Sequence, residues 1–311
     1  MSFREGHYFS LDENKNYSDG VNVHQEVQIA DYTPEDLSKL WLKTLNKGMH
    51  GICFSMYEND QKPGDIIYGE QVNRRIQILK PHANWVRSFS CIEGNEHIPR
   101  IAHQNGMKTL VGAWLGNDLE KNEIEIEALI SLANEGCVTI AAVGNEVMYR
   151  NDLTEDQLLE YIQRVKEALP NIPVGYVDAY YEFSHRPRIT EACDVILTNC
   201  YPYWEGCPIE HSFNHMISMF ESAKHAGNGK RVIITETGWP SQGGSLKGAV
   251  ASHENAMKYF IDTQNWSKQN DIEIFYFSSF DEGWKVGPEG EVGAYWGLWD
   301  KNEELKYQGE K

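Results

Sequence analysis

Along the chain, short apolar runs alternate with stretches in which apolar residues recur every three or four positions. The first clear element opens at Thr33-Pro34-Glu35-Asp36, with a capping hydroxyl, a proline at the first helical position and an acid at the third. Leu37, Leu40, Trp41 and Leu45 follow at helical spacing, and Gly48 ends the helix. His50–Ser55 then reads as a first strand. Further strand-like runs begin near Trp85, Lys108, Val138, Pro173, Asp194, Val232 and Ile272. Helical stretches such as 72–79, 123–133 and 153–169 lie between them, the last with a capping box at Thr154 and Gln157. Eight strands, each followed by a helix-sized segment, predict a single α/β domain, a (β/α)8 TIM barrel. The alternative, a doubly wound open sheet, usually carries a glycine-rich phosphate loop after its first strand, and this chain has none there. Residues 1–32 are polar and aperiodic and are expected to form an arm lying across the domain, leaving 33–311 as the barrel.

A barrel places functional side chains just after its strands. Tyr57 follows the first strand, Arg87 lies in the second, and Trp114 ends the third. The fourth runs into Gly144-Asn145-Glu146, and Asp178, Tyr180 and Tyr181 follow the fifth. The sixth leads to Asn199, Tyr201, Tyr203 and Trp204. The seventh, in Val232–Ser241 (VIITETGWPS), delivers Glu236 with Trp239 close behind it, and Gly238 and Pro240 end the extended structure. Asp281, Glu282, Trp284 and Lys285 follow the eighth.

Composition narrows the chemistry. A net charge of −18 and a pI near 5.0 argue against nucleic acid or an anionic membrane as partner, and fit a neutral substrate and a monomer. No apolar run approaches the ~20 residues needed to span a bilayer. The start, MSFREGHYFS, has no apolar core of a signal peptide. The chain is expected to be secreted or periplasmic with its leader absent, and cytoplasmic residence is the alternative. The six cysteines form no C-x-x-C pair and read as buried thiols. His211 and His215 lack the H-E-x-x-H pattern, so neither a metal nor a cofactor is expected.

Glu146 and Glu236 end strands that lie across the barrel from one another. Two carboxyl groups flanking one bond are what glycoside hydrolysis needs, one to protonate the leaving oxygen and one to act as nucleophile or base. Asn145 can bond the sugar hydroxyl next to the reacting carbon, and Trp239 is expected to offer a sugar-stacking surface. The competing reading is two acids on unrelated loops.

VGNEV at 143–147 and ITETGWPS at 234–241 resemble the two active-site signatures of glycoside hydrolase family 17. FDEGWKVGPEGEVGAYWGLWD at 280–300 resembles that family's last strand and closing loop. The resemblance covers roughly residues 50–300. It implies a retaining (β/α)8 enzyme that hydrolyses β-1,3-linked glucans or transfers them to another sugar. By position, Glu146 resembles the acid/base and Glu236 the nucleophile. Glu282 and Lys285 match the family's supporting pair, and Arg87 and Tyr201 sit where related barrels bond the nucleophile. Tyr57 joins the same expected substrate-binding set. The polar arm and the loop Tyr57–Gly69 depart from the plant enzymes, and the loop is closer to microbial members.

The chemistry agrees with that assignment. A nucleophile must be ionised, which a cation such as Arg87 or Lys285 and a tyrosine hydroxyl favour, whereas an acid must hold its proton near neutrality. The expected activity is endo-acting hydrolysis of laminarin-type β-1,3-glucan, with the two carboxyl groups about 5–5.5 Å apart. A β-1,3-glucanosyltransferase using the same pair is the main alternative. An inactive glucan-binding barrel fits less well, because both glutamates and Asn145 are present. A Schiff-base enzyme would need Lys285 inside the barrel, and it lies beyond its strand. Tyr180, Trp204, Trp284, Tyr295 and Trp296 are candidate sugar platforms as a group.

Overall fold

The computed structural model describes residues 7–10, 26–58 and 61–308. Eight parallel strands close on themselves: β1 (Met49–Cys53), β2 (Ala83–Ser88), β3 (Lys108–Ala113), β4 (Ile140–Asn145), β5 (Val174–Ala179), β6 (Val195–Asn199), β7 (Arg231–Thr237) and β10 (Ile274–Tyr276). A short antiparallel hairpin, β8 (Ser245–Leu246) and β9 (Ala249–Val250), decorates the loop after β7. The barrel runs β1-β10-β7-β6-β5-β4-β3-β2, so β1 pairs with both β2 and β10 and no edge remains open. This is the expected (β/α)8 barrel.

The strands are buried almost throughout because helices cover their outer faces, which is why they read as apolar runs rather than alternating ones. The helix Pro34–Leu45 starts where predicted, with the Thr33 hydroxyl accepting from the Asp36 N–H, a cap worth about 1 kcal/mol. It buries Leu37, Trp41 and Leu45 against the helix His253–Asn270. Glu155–Ala168 carries the capping box of Thr154 and Gln157. Leu119–Asn134 begins four residues before the predicted 123, because Asp118 caps it through the Lys121 N–H.

The predicted arm is described in two pieces, and residues 1–6 and 11–25 lie outside the described residues. Residues 26–32 are pinned to two helices: the Val27 N–H donates to Asp262, and Glu26 pairs with Lys258 and accepts from Asn214. Residues 7–10 sit at the carboxyl face of the barrel, where Phe9 N–H donates to the Glu205 carbonyl at 2.9 Å.

Register shifts mark bulges near the carboxyl ends of β4 and β7. Along β4, Ala142 pairs with Gly175 but Asn145 with Val177, so β4 carries one extra residue. Along β7, Ile234 pairs with Thr198 but Glu236 with Asn199. Such bulges re-aim side chains. Within the first lies Gly144 (φ +86°) and just past it Glu146 (φ +53°), both with left-handed backbone. Past the second, Gly238 lies against the Phe277 backbone carbonyl, where a Cβ has no room. The glycines of GNEV and ETGWP thus serve the turns that present the two acids.

Candidate active site

Glu236 leaves β7 beside a bulge that lets adjacent Thr235 and Glu236 both face β6. Thr235 Oγ1 donates to Asn199 Oδ1 at 2.9 Å, which turns the Asn199 amide nitrogen toward the acids. That one nitrogen donates to Glu146 Oε1 at 3.0 Å and to Glu236 Oε1 at 3.1 Å. Two oxygens bonded to a single nitrogen at those lengths lie no more than about 6 Å apart, so the two carboxyl groups converge on one point.

Around Glu236 the partners are all donors. Arg87 Nη1 reaches Oε1 at 2.6 Å, and the Tyr201 hydroxyl reaches Oε2 at 2.7 Å. Arg87 is itself buried, with Phe89 stacked on it at 4.2 Å, and donates to the Thr235 carbonyl and to Asn145 Oδ1 at 2.8 Å. Because Arg87 takes the Asn145 oxygen, the amide donor of Asn145 is the end left for a ligand. Removing one member of such a buried pair costs roughly 3–5 kcal/mol, because the other charge is stranded.

Glu146 stands differently. Burial is the main cause that pushes its carboxyl well above the ordinary range, followed by the charges of Glu236 and Asp178; Asn199 and Arg150 oppose them. Asp178 is itself raised to about 7 by burial, although the Tyr176 hydroxyl and the Ala179 N–H donate to it. Asn199 and Asp178 were singled out by strand position but given no role, and Arg150 was not singled out. The first two stand at the carboxyl ends of β6 and β5, and their roles come from contacts between strands that strand position does not report.

The remaining predicted residues divide. Lys285 pairs with Glu282 at 2.6 Å, its ammonium 4.4 Å from the centre of the Phe277 ring. Burial alone would lower its pKa, but Glu282 and Glu289 raise it, with a further contribution from Glu236. Tyr57 packs edge-on to Trp284, and burial pushes its phenol up. Trp239 does not offer the sugar-stacking surface expected of it. It is 1% exposed, donates from Nε1 to the Val250 carbonyl and packs on Tyr203 and Tyr259, so it has no face to offer a sugar. The β8–β9 hairpin and the helix His253–Asn270 cover it, and no local pattern reports that cover. Trp296 is likewise buried, at the centre of a cluster with Tyr201, Tyr203, Trp204 and Phe277. Tyr180 and Trp204 do line the cavity beside Glu146.

All six cysteines are buried thiols. Cys53 packs beside Arg87, and burial pushes it up to about 12. Among the described residues, no cluster of three or more His, Cys, Asp or Glu is placed to hold a metal ion. His215 of the helix Ile209–Ala226 instead meets Glu205 at 2.6 Å. No helix among them is long and apolar enough to cross a membrane.

Two buried carboxyl groups on one amide at the mouth of a (β/α)8 barrel define a glycosidase-type centre. The chain belongs to the family of the BtgE/BtgC glycoside hydrolase domain, whose model matches residues 51–297. It is 30% identical over 281 residues to a glucan 1,3-β-glucosidase of Schizosaccharomyces pombe, covering 84% of this chain and 86% of that protein. Among solved structures it is similar to the glycoside hydrolase family 17 β-1,3-glucanosyltransferase of Rhizomucor miehei. That match has a TM-score of 0.76 and 31% identity, over 84% of this chain and 96% of that one. An endo-laminarinase from Formosa shares the fold, with a TM-score of 0.71 at 18% identity over 83% of this chain and 85% of that one.

Proposed function

We propose that this chain is a retaining, endo-acting β-1,3-glucan hydrolase of glycoside hydrolase family 17, with Glu236 as nucleophile and Glu146 as acid/base. The observation that carries this reading is the Asn199 nitrogen shared by both carboxyl groups. It brings one oxygen of each to within about 6 Å of the other, which supports the retaining arrangement. The names of the relatives supply the substrate class.

Glu146, protonated because its site disfavours the anion, gives its proton to the glycosidic oxygen as that bond breaks. Glu236 attacks the anomeric carbon from the opposite face, its charge held by Arg87, Asn199 and Tyr201 until the covalent bond forms. Glu146, now a carboxylate, takes a proton from water, which attacks the same carbon and releases Glu236. The free amide donor of Asn145 suits the sugar's 2-hydroxyl, where hydrogen bonds strengthen in the transition state. Lys285 and Glu282 support the site through the field at Glu236.

A second reading, glucanosyl transfer, is favoured by the similarity to the Rhizomucor miehei transferase. It uses the same two glutamates, with a sugar hydroxyl replacing water in the second step. A time course of products from a linear β-1,3-glucan, with the anomer followed by NMR, separates the readings. Early mixed short oligosaccharides released as β-anomers support endo-hydrolysis, and products longer than the starting oligomer support transfer. An inverted anomer would overturn the retaining assignment, and no products at all would leave a glucan-binding protein.

A further inference from the structure

Residues His7–Ser10 lie outside the segment matched by the family model, yet His7 and Tyr8 line the cavity beside Glu146. The segment is anchored there. Its Phe9 N–H donates to the Glu205 carbonyl, and the Phe9 ring stands 5.7 Å from His211 and 5.1 Å from His215, measured between ring centres. On the other side, the ring of Tyr8 meets the ammonium of Lys247 in the β8–β9 turn.

The consequence for the cleft comes from what this segment covers. The His7 imidazole lies flat on Tyr181, with ring centres 3.8 Å apart and planes 7° apart. Tyr181 follows β5 at the carboxyl face, and a face-on aromatic contact is how a sugar ring would use it. With the imidazole in place, Tyr181 is only 7% exposed. The cavity left between the segment and Glu146 is about 70 Å³, against the ~300–1,000 Å³ of pockets that enclose a small molecule. A glucan passing over Glu146 meets the side chains of His7 and Tyr8 on this side.

We infer that His7 and Tyr8 close the Glu146 side of the cleft and limit how many sugar units bind there, which makes them specificity-determining residues. The inference rests on the glucan-active reading above. It applies to a segment ahead of the catalytic domain, so chain-length preference is set partly by residues the family domain does not contain.

The test compares the unaltered chain with a His7→Ala/Tyr8→Ala double variant and with Phe9→Ala, which removes the ring contacts with His211 and His215 and leaves the cavity-lining side chains unchanged. kcat/KM is measured on a polymeric β-1,3-glucan and on a β-1,3-linked trisaccharide. In both variants the polymer-to-trisaccharide ratio should rise roughly fivefold or more, carried by KM, with product lengths shifting accordingly. An unchanged or lower ratio, or an equal loss on both substrates, would overturn the inference while leaving the glucan-active reading intact. A wild-type chain inactive on both substrates would bring down that reading and this inference with it.

Discussion

Glu236 and Glu146 share a hydrogen-bond donor, yet their surroundings differ in kind. Glu236 is ringed by donors: a guanidinium, an amide and a phenol. Glu146 receives the amide but sits in a buried pocket with Asp178 and Glu236 acting on it as like charges, which favours its protonated form. The same side chain is thus fitted for opposite tasks by its neighbours. Bulges at the ends of both strands make this possible, because each frees its acid from the strict alternation of the barrel wall.

The comparison is tested most severely by removing each acid. Glu236→Ala should lower turnover by about 10⁴–10⁶-fold on every substrate, since no glycosyl-enzyme can form. Glu146→Ala should cost about 10²–10⁴-fold on polymer but still form the intermediate from a dinitrophenyl glycoside, whose leaving group needs no proton. Stopped-flow measurement should then show an initial burst, and added azide should release a β-glycosyl azide. An α-azide from the Glu236 variant, with no retained adduct from the Glu146 variant, would reverse the roles.

The bridge between the two acids gives a sign test. Asn199→Ala should cost about 10²–10³-fold, as expected for loss of one preorganised donor. It also removes a hydrogen bond that favours the Glu146 anion, so the alkaline limb of the kcat/KM profile should move to higher pH. Asp178→Asn removes a like charge and should move the same limb to lower pH. Shifts in the same direction would show that these residues do not act through Glu146.

A smaller effect is expected at the supporting pair. Lys285→Ala should reduce turnover by roughly tenfold with the fold intact, because it acts on Glu236 through the field rather than through a bond. A loss equal to that of Glu236→Ala would place the lysine in bond making, and no loss would reduce it to bracing the loop through Glu282.

The smallest effect is on stability. The folded pKa of Glu146 lies above its ordinary 4.5, so the folded state holds an extra proton between the two values. Its contribution is fully present below pH 4.5 and is lost as pH rises through the folded value. Glu146→Gln should therefore match wild type in acid and melt higher at alkaline pH, by roughly 2–4 °C for each kcal/mol relieved. Calorimetry at both ends of that window would show it. An equal difference at all pH values would mean that Glu146 is not protonated by its site.

The local pattern carried the barrel and both acids. Eight apolar runs with helical stretches between them have few other ways to bury their surface, and an acid at the carboxyl end of such a run must sit at the barrel mouth. Glu146 and Glu236 were legible for that reason, and Arg87 and Tyr201 through the family resemblance. Tertiary structure decided the rest. The Asn199 bridge depends on bulges in β4 and β7, and a register shift is a relation between strands that neither strand's sequence displays. Trp239 read as a sugar platform because it follows Glu236, but the hairpin after β7 and a helix from later in the chain bury it. The contact of His7 with Tyr181, 174 positions away, lies beyond any periodic pattern, because such patterns report only neighbours on one element.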